Sequence, residues 1–135
     1  MKIDINTCTR DYNNKNIVVI GDIILDTYVF GNVNRISQEA PVPIVSMQNK
    51  DFKPGGAANV AINLSNLGAF VTLVGISGFD TNHIKLIETL NNYKNIKTQI
   101  IQCNDRPTTV KTRIIADNRQ LVRLDDEIIK PIGNE

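Results

Sequence analysis

Two short β-branched runs, KNIVVIG at Lys15–Gly21 and FVTLVGI at Phe70–Ile76, constrain the fold more than any other part of the chain. Each is too short for a helix and too continuously apolar for a strand with one wet face, so both read as buried strands of a parallel sheet. Between them, Ala57–Leu67 carries Val60, Leu64 and Leu67 at i, i+4 and i+7, with Gly68 just past its end, and this predicts a helix. Ala57, Ala58 and Ala61 give that helix a flat side for close packing on a sheet. A second helix is predicted after Asp80 as N-cap, with Ile84, Ile87 and Leu90 on its apolar face. Thr98–Gln102 reads as an edge strand. Strand, helix, strand, helix implies an α/β fold with a partial parallel sheet and right-handed crossovers.

Two segments interrupt this pattern. From Thr27 to Asp51 the chain alternates in short pieces, TYVFG and then VPIVSMQ, separated by polar residues and by Pro41 and Pro43, which suits edge strands of a projecting flap. Thr109 to Asp125 alternates again as TVKTRIIA and RQLVRLD about Asp117 and Asn118, residues that tolerate the positive φ of a hairpin turn. The expected division is a core over about 15–26 and 52–103, with lid segments over about 27–51 and 106–125. Ile128–Glu135 stops short of the elements that would finish a doubly wound sheet, so residues 1–135 read as the amino-terminal part of a larger domain.

Composition excludes several classes of function. A net charge of +1 from 15 basic and 14 acidic residues supplies no field to draw the chain onto nucleic acid or an anionic membrane. Hydrophobic residues at 41% argue for a folded domain over a disordered tail. Cys8 and Cys103 have no metal-site spacing and read as reduced thiols. His83 reads as an exposed helix residue. Met1–Asn16 lacks an apolar signal core and no run reaches membrane-spanning length, so the expected location is cytoplasmic.

Three constellations carry chemistry. Gly21, Asp22 and Asp26 in GDIILD follow the first strand, at the end where open α/β sheets bind ligands, and carboxylates there can accept from ligand hydroxyls or serve as turn formers. Gly55 and Gly56 open the first helix, leaving backbone amides accessible, and Asn59 adds a donor and an acceptor suited to a polyol. This loop matches neither a Walker A loop nor a dinucleotide fingerprint. Lys111, Arg113 and Arg123 fall on alternating positions of the hairpin, as either a phosphate clamp or a charged, defended sheet edge.

The segment VIGDIILDTYVFGNVNRISQEAPVPIV, followed by KPGGAANVAINLSNLGA and then QLVRLD, resembles the amino-terminal half of PfkB-type (ribokinase-like) carbohydrate kinases over about Lys15–Asp125. It is most similar to the heptose 7-phosphate kinase domain of ADP-heptose synthesis enzymes. That resemblance implies a ribokinase-like α/β core with a β-lid that also serves dimerisation. It implies sugar-hydroxyl contacts from Asp26, Gly55, Gly56 and Asn59, with Asp22 as an addition. Arg35 and Glu39 would shape the lid side of the pocket, and Lys111, Arg113 and Arg123 would hold the phosphate already on the substrate. ATP and Mg²⁺ are the implied cofactors, and a fused nucleotidyltransferase is an implied companion. The family's catalytic aspartate and GAGD-like anion hole do not occur in these 135 residues, so no catalytic residue is expected here and the chain alone is expected to be inactive. Gln38 stands where RISPEAP has proline, Ala116 and Asp117 replace more polar or basic residues, and His83 ends a GxDxxG pattern.

Overall fold

The computed structural model describes residues 12–133. Cys8, like the rest of residues 1–11 of the amino-terminal stretch, lies outside the described residues. In chain order the elements are β1 (Asn16–Ile20), β2 (Ile23–Ile36), β3 (Pro43–Gly56), α1 (Ala57–Asn66), β4 (Phe70–Gly78), α2 (Thr81–Leu90), β5 (Ile96–Cys103), β6 (Thr109–Ala116) and β7 (Arg119–Asp126).

They form two sheets. The first is parallel, in the order β1-β4-β5, and the second is mixed, in the order β3-β2-β6-β7. In the second, β2 runs antiparallel to β3 and parallel to β6, while β6 and β7 form an antiparallel hairpin. Asp117 at φ 50° and Asn118 at φ 61° close that hairpin with two left-handed residues, the geometry of a type I′ turn. β2 and β3 are continuous 14-residue strands, longer than the short alternating pieces expected from sequence. Their bulges, at Phe30/Gly31 and Val33/Arg35, break the period-two pattern without ending the pairing. Among the strands, only β3 contains proline, at Pro43 and Pro54, and β3 is an edge strand, as the missing donor requires.

One apolar cluster joins the sheets. Val71 and Leu73 of β4 pack with Ala58, Ala61 and Ile62 of α1 and with Leu86 and Leu90 of α2, and the cluster continues into Ile23, Leu25 and Val110 at the base of the second sheet. Full burial of a side chain such as Leu73, which has 0% exposure, is worth about 1.5–3 kcal/mol. One helix face matches the expectation and the other departs from it. In α1 the alanine side makes the close approach, as expected, leaving Val60 and the C-cap Leu67 outward; in α2 Leu86 and Leu90 are buried and Ile84 turns outward, which departs from the expected apolar face. Among the described residues, only one face of the first sheet is covered. Ile17 and Val19 pack inward, whereas Val18 (61% exposed), Ile20 (76%) and Ile101 (65%) stand out from the other face, so β1 is half-buried where the sequence suggested full burial. Among the described residues, no helix is long and apolar enough to cross a membrane.

Candidate functional site

β2 leaves the first sheet just beyond Gly21 and Asp22, and β3 returns alongside it to Gly56, where α1 begins. The two strand ends are stitched by Ala57 N donating to Asp22 O at 2.8 Å. Gly56 lies at φ 56°, ψ −131°, and a Cβ there would collide with Asp22 O, so this junction requires glycine on both counts. No side chain caps α1. Asn59 lies exposed in its first turn, next to this junction.

Gly55 makes room for a carboxylate. A Cβ at Gly55 would strike Asp26 Oδ2 and lie 2.9 Å from Asp26 Cγ, so the missing side chain is what lets Asp26 settle against the β3 backbone. The same carboxylate accepts from Arg113 Nη1 through Oδ1 at 2.6 Å, with both side chains about one-fifth exposed. The hydrogen bond to Asp26 holds the Arg113 guanidinium above its ordinary range despite partial burial. Arg113 also lies 5.3 Å from the Tyr28 ring centroid, and Lys53 Nζ sits at the same distance from that ring.

Register explains the grouping. Asp26 pairs with Lys111, Tyr28 with Arg113, Lys111 with Asp125 and Arg113 with Arg123, so side chains alternating with period two bring all of them to one face of the second sheet. The three basic residues are each engaged by acids. Lys111 Nζ donates to Asp125 at 2.9 Å and Glu127 at 3.2 Å, and Arg123 binds Asp125 through two nitrogens at 2.9 and 3.0 Å. The hydrogen bond to Asp125, reinforced by Glu127, raises the Lys111 ammonium above the usual lysine range. Donation from Lys111, then from Arg123, lowers the Asp125 carboxyl below the usual aspartate range. The hairpin cations are thus an ordered, charge-balanced array, and an incoming anion would exchange with carboxylates already in place.

Not every nominated residue joins this group. Arg35 stands nine positions along β2 from Asp26, about 30 Å away at 3.3 Å per residue, and Glu39 lies in the exposed loop at the same tip. Asp22 lines a cleft of about 550 Å³ between the carboxyl ends of β1 and β4 and the base of the second sheet, together with Ser77, Arg106 and Thr109, and the cleft meets the charged group at Lys111 and Glu127. Asp125, Glu127 and Tyr28 were not singled out from sequence. An acid following RL on a strand opposite Lys111 was the available signal for Asp125, but it needed the register. His83 is half-buried and its Nδ1 is 2.7 Å from the Oγ of buried Ser77, which corrects its reading as an exposed helix residue. Cys103 is a free, half-buried thiol.

A three-stranded parallel sheet flanked by helices, with a four-stranded mixed sheet beside it, is a ribokinase-like fold, as solved structures show. A carbohydrate kinase from Agrobacterium tumefaciens superposes with a TM-score of 0.68 at 24% identity, over 83% of this chain and 35% of that one. Halothermothrix orenii fructokinase superposes with a TM-score of 0.58 at 28% identity, over 82% and 37%.

The chain belongs to the pfkB family of carbohydrate kinases, whose family model matches residues 14–129. Among curated relatives, the Bifunctional protein HldE of Coxiella burnetii is 47% identical over 126 residues, 93% of this chain and 26% of that protein. The Bifunctional protein HldE of Vibrio vulnificus is 45% identical over 117 residues, 87% of this chain and 24% of that protein. The chain therefore spans about a quarter of the length of the curated relatives it matches.

Proposed function

We propose that these residues form the sugar-binding and lid portion of an ATP-dependent kinase that phosphorylates O1 of D-glycero-D-manno-heptose 7-phosphate, within ADP-heptose biosynthesis. The observation that carries this reading is the Asp26 carboxylate, seated against Gly55, held by Arg113, and sharing a sheet face with Lys111 and Arg123. A carboxylate beside open backbone suits sugar hydroxyls, and guanidinium and ammonium groups on the same face suit a phosphate monoester. Asn59 and the Gly55–Gly56 turn supply further polar contacts, with Asp22 at the cleft. Arg35 and Glu39, at the lid tip, are assigned to the lid side of a pocket in a homodimer formed through the β lid. The relatives' description as bifunctional supports a fused second domain, taken here as a nucleotidyltransferase. A cytoplasmic location follows from the nature of the substrates.

ATP and Mg²⁺ belong to the full-length enzyme in this reading. Among the described residues no group of three or more His, Cys, Asp or Glu side chains is placed to hold a metal, so no step is assigned to Mg²⁺ here. The role of these residues is to bind, orient and desolvate the sugar, which in phosphoryl transfer is a large part of the catalytic task.

Titration calorimetry with heptose 7-phosphate, fructose and ribose tests the reading. Binding of heptose 7-phosphate that is lost in Asp26→Asn supports it, and binding of ribose or fructose with no response to heptose 7-phosphate overturns it. A second reading, a pfkB kinase for an unphosphorylated sugar, is favoured by the carboxylate partners that already neutralise Lys111, Arg113 and Arg123.

A further inference from the structure

We infer that Asp80, acting through Thr108, is a positioning residue that fixes the base of β6, and with it Lys111 and Arg113, against the first sheet. The inference rests on the sugar-phosphate reading for its consequence, though the tie itself stands on geometry.

β6 enters the second sheet directly from the last strand of the first, so its base needs an anchor. Its ladder partners, β2 and β7, both belong to the second sheet, and its covalent link to the first sheet is the loop 104–108. β2 and β3, by contrast, are joined to the first sheet and α1 through the Gly21–Asp22 and Gly56–Ala57 junctions. The Asp80 carboxylate divides its two oxygens. Oδ1 accepts from Asn82 N at 3.0 Å and His83 N at 2.9 Å, which caps α2, and also from Thr108 Oγ1 at 2.8 Å. Oδ2 accepts from Thr108 N at 2.7 Å. Thr108 Oγ1 in turn accepts from Gly78 N, the last residue of β4, at 3.0 Å. The end of β4, the start of α2 and the entry to β6 thus meet on one carboxylate and one hydroxyl.

Burial shows that the junction is built closely. Thr108 has 0% exposure, and a Cβ on Gly78 would collide with Thr108 N and approach Asp80 Oδ2 to 2.5 Å and Arg106 O to 2.7 Å. A helix cap needs one acceptor oxygen, and asparagine or serine supplies it as well as aspartate. The second oxygen, committed to a backbone donor 28 residues away, has no use in capping. Lys111 and Arg113, on β6, follow Thr108 at its entry by three and five residues, about 10 and 17 Å along extended chain, so a loosened base displaces both.

Asp80→Asn separates the two tasks, because an amide keeps one acceptor for the α2 cap and offers no second acceptor to Thr108 N. Thr108→Val removes the hydroxyl bridge, and Thr108→Ser restores it. Two measurements on these variants are needed. In amide hydrogen exchange, Asp80→Asn and Thr108→Val should lose protection at Lys111–Arg113 about tenfold or more while Leu86–Leu90 amides keep theirs, since exchange reports local opening. Unchanged β6 protection, or equal loss in α2 and β6, would reduce Asp80 to a cap and sink the inference. In calorimetry, heptose 7-phosphate affinity should fall about tenfold in both variants, the scale of one charge-assisted hydrogen bond, and recover in Thr108→Ser. Wild-type affinity in all three contradicts a positioning role. If the wild type itself binds no sugar phosphate, the functional reading fails, and the exchange data still decide the tie.

Discussion

Arg113 Nη1 donates to Asp26 Oδ1 at 2.6 Å across 87 residues of sequence, joining β2, the strand that leaves the first sheet, to β6 beside it in the second. The contact places a cation against the carboxylate proposed to meet the sugar, so substrate and Arg113 share one acceptor. Both groups are mostly shielded from water, and removing either partner leaves the other poorly satisfied. A double-mutant cycle with Asp26→Asn and Arg113→Gln, read by urea unfolding, should give a coupling of about 1–2 kcal/mol, within the range for groups in direct contact. Additive effects would mean the pair contributes nothing specific.

Lys111 and Arg123 allow the two substrate readings to be separated. Lys111→Gln and Arg123→Gln should weaken binding of a sugar 7-phosphate about tenfold or more, and leave binding of an unphosphorylated sugar within about twofold, because charge-assisted bonds to phosphate are the stronger kind. Parallel calorimetric titrations with both ligands check this. Equal losses for the two ligands would favour the unphosphorylated-sugar kinase.

Acid should loosen the Asp80 junction. Partial burial opposes charge on Asp80, but hydrogen bonds from Thr108, His83 and Asn82 outweigh it and hold its carboxyl below the ordinary aspartate value. A depressed folded pKa contributes stability that is complete above the unfolded value of about 3.9 and is lost as pH falls through the lower folded value. Unfolding midpoints measured from pH 6 down to about 2 should therefore fall more steeply in the wild type than in Asp80→Asn below about pH 4. Identical slopes would show that the bonds to Asp80 do not favour its charged form.

The first sheet should tolerate substitution on one face and not on the other. Leu73→Ala, at a side chain with 0% exposure, should cost about 2–5 kcal/mol, while Ile20→Ser, at 76% exposure, should change the stability of this chain by less than about 0.5 kcal/mol. Urea unfolding of the two variants measures both. A large loss at Ile20 would mean that the outer face is covered in solution.

Much of the fold was legible because the signals were local. The β-branched run before Gly21, Asp80 as an N-cap and the Asp117–Asn118 turn all depend on neighbours within a few residues; the cap and the turn take the expected form, and the run forms the expected strand, though buried on one face only. What escaped was set by packing. In the second helix Ile84 fits helical spacing, yet Leu86, off the expected stripe, won the interior beside Leu90 because the packing of that helix favours it. The site divides the same way. Asp26, Gly55, Lys111, Arg113 and Arg123 were nominated from motifs, but their grouping on one face, and their neutralisation by Asp125 and Glu127, depend on strand register that no local pattern specifies. Thr108 was invisible for the same reason, since its partner lies in another sheet-to-helix turn.

The central claim, that these residues select a heptose 7-phosphate for a kinase, is tested most directly by phosphoryl transfer in the full-length protein with ATP and Mg²⁺. Formation of heptose 1,7-bisphosphate, abolished or reduced at least about 100-fold by Asp26→Ala as expected for lost substrate positioning, is the predicted result. Turnover of ribose or fructose with heptose 7-phosphate left untouched would contradict it.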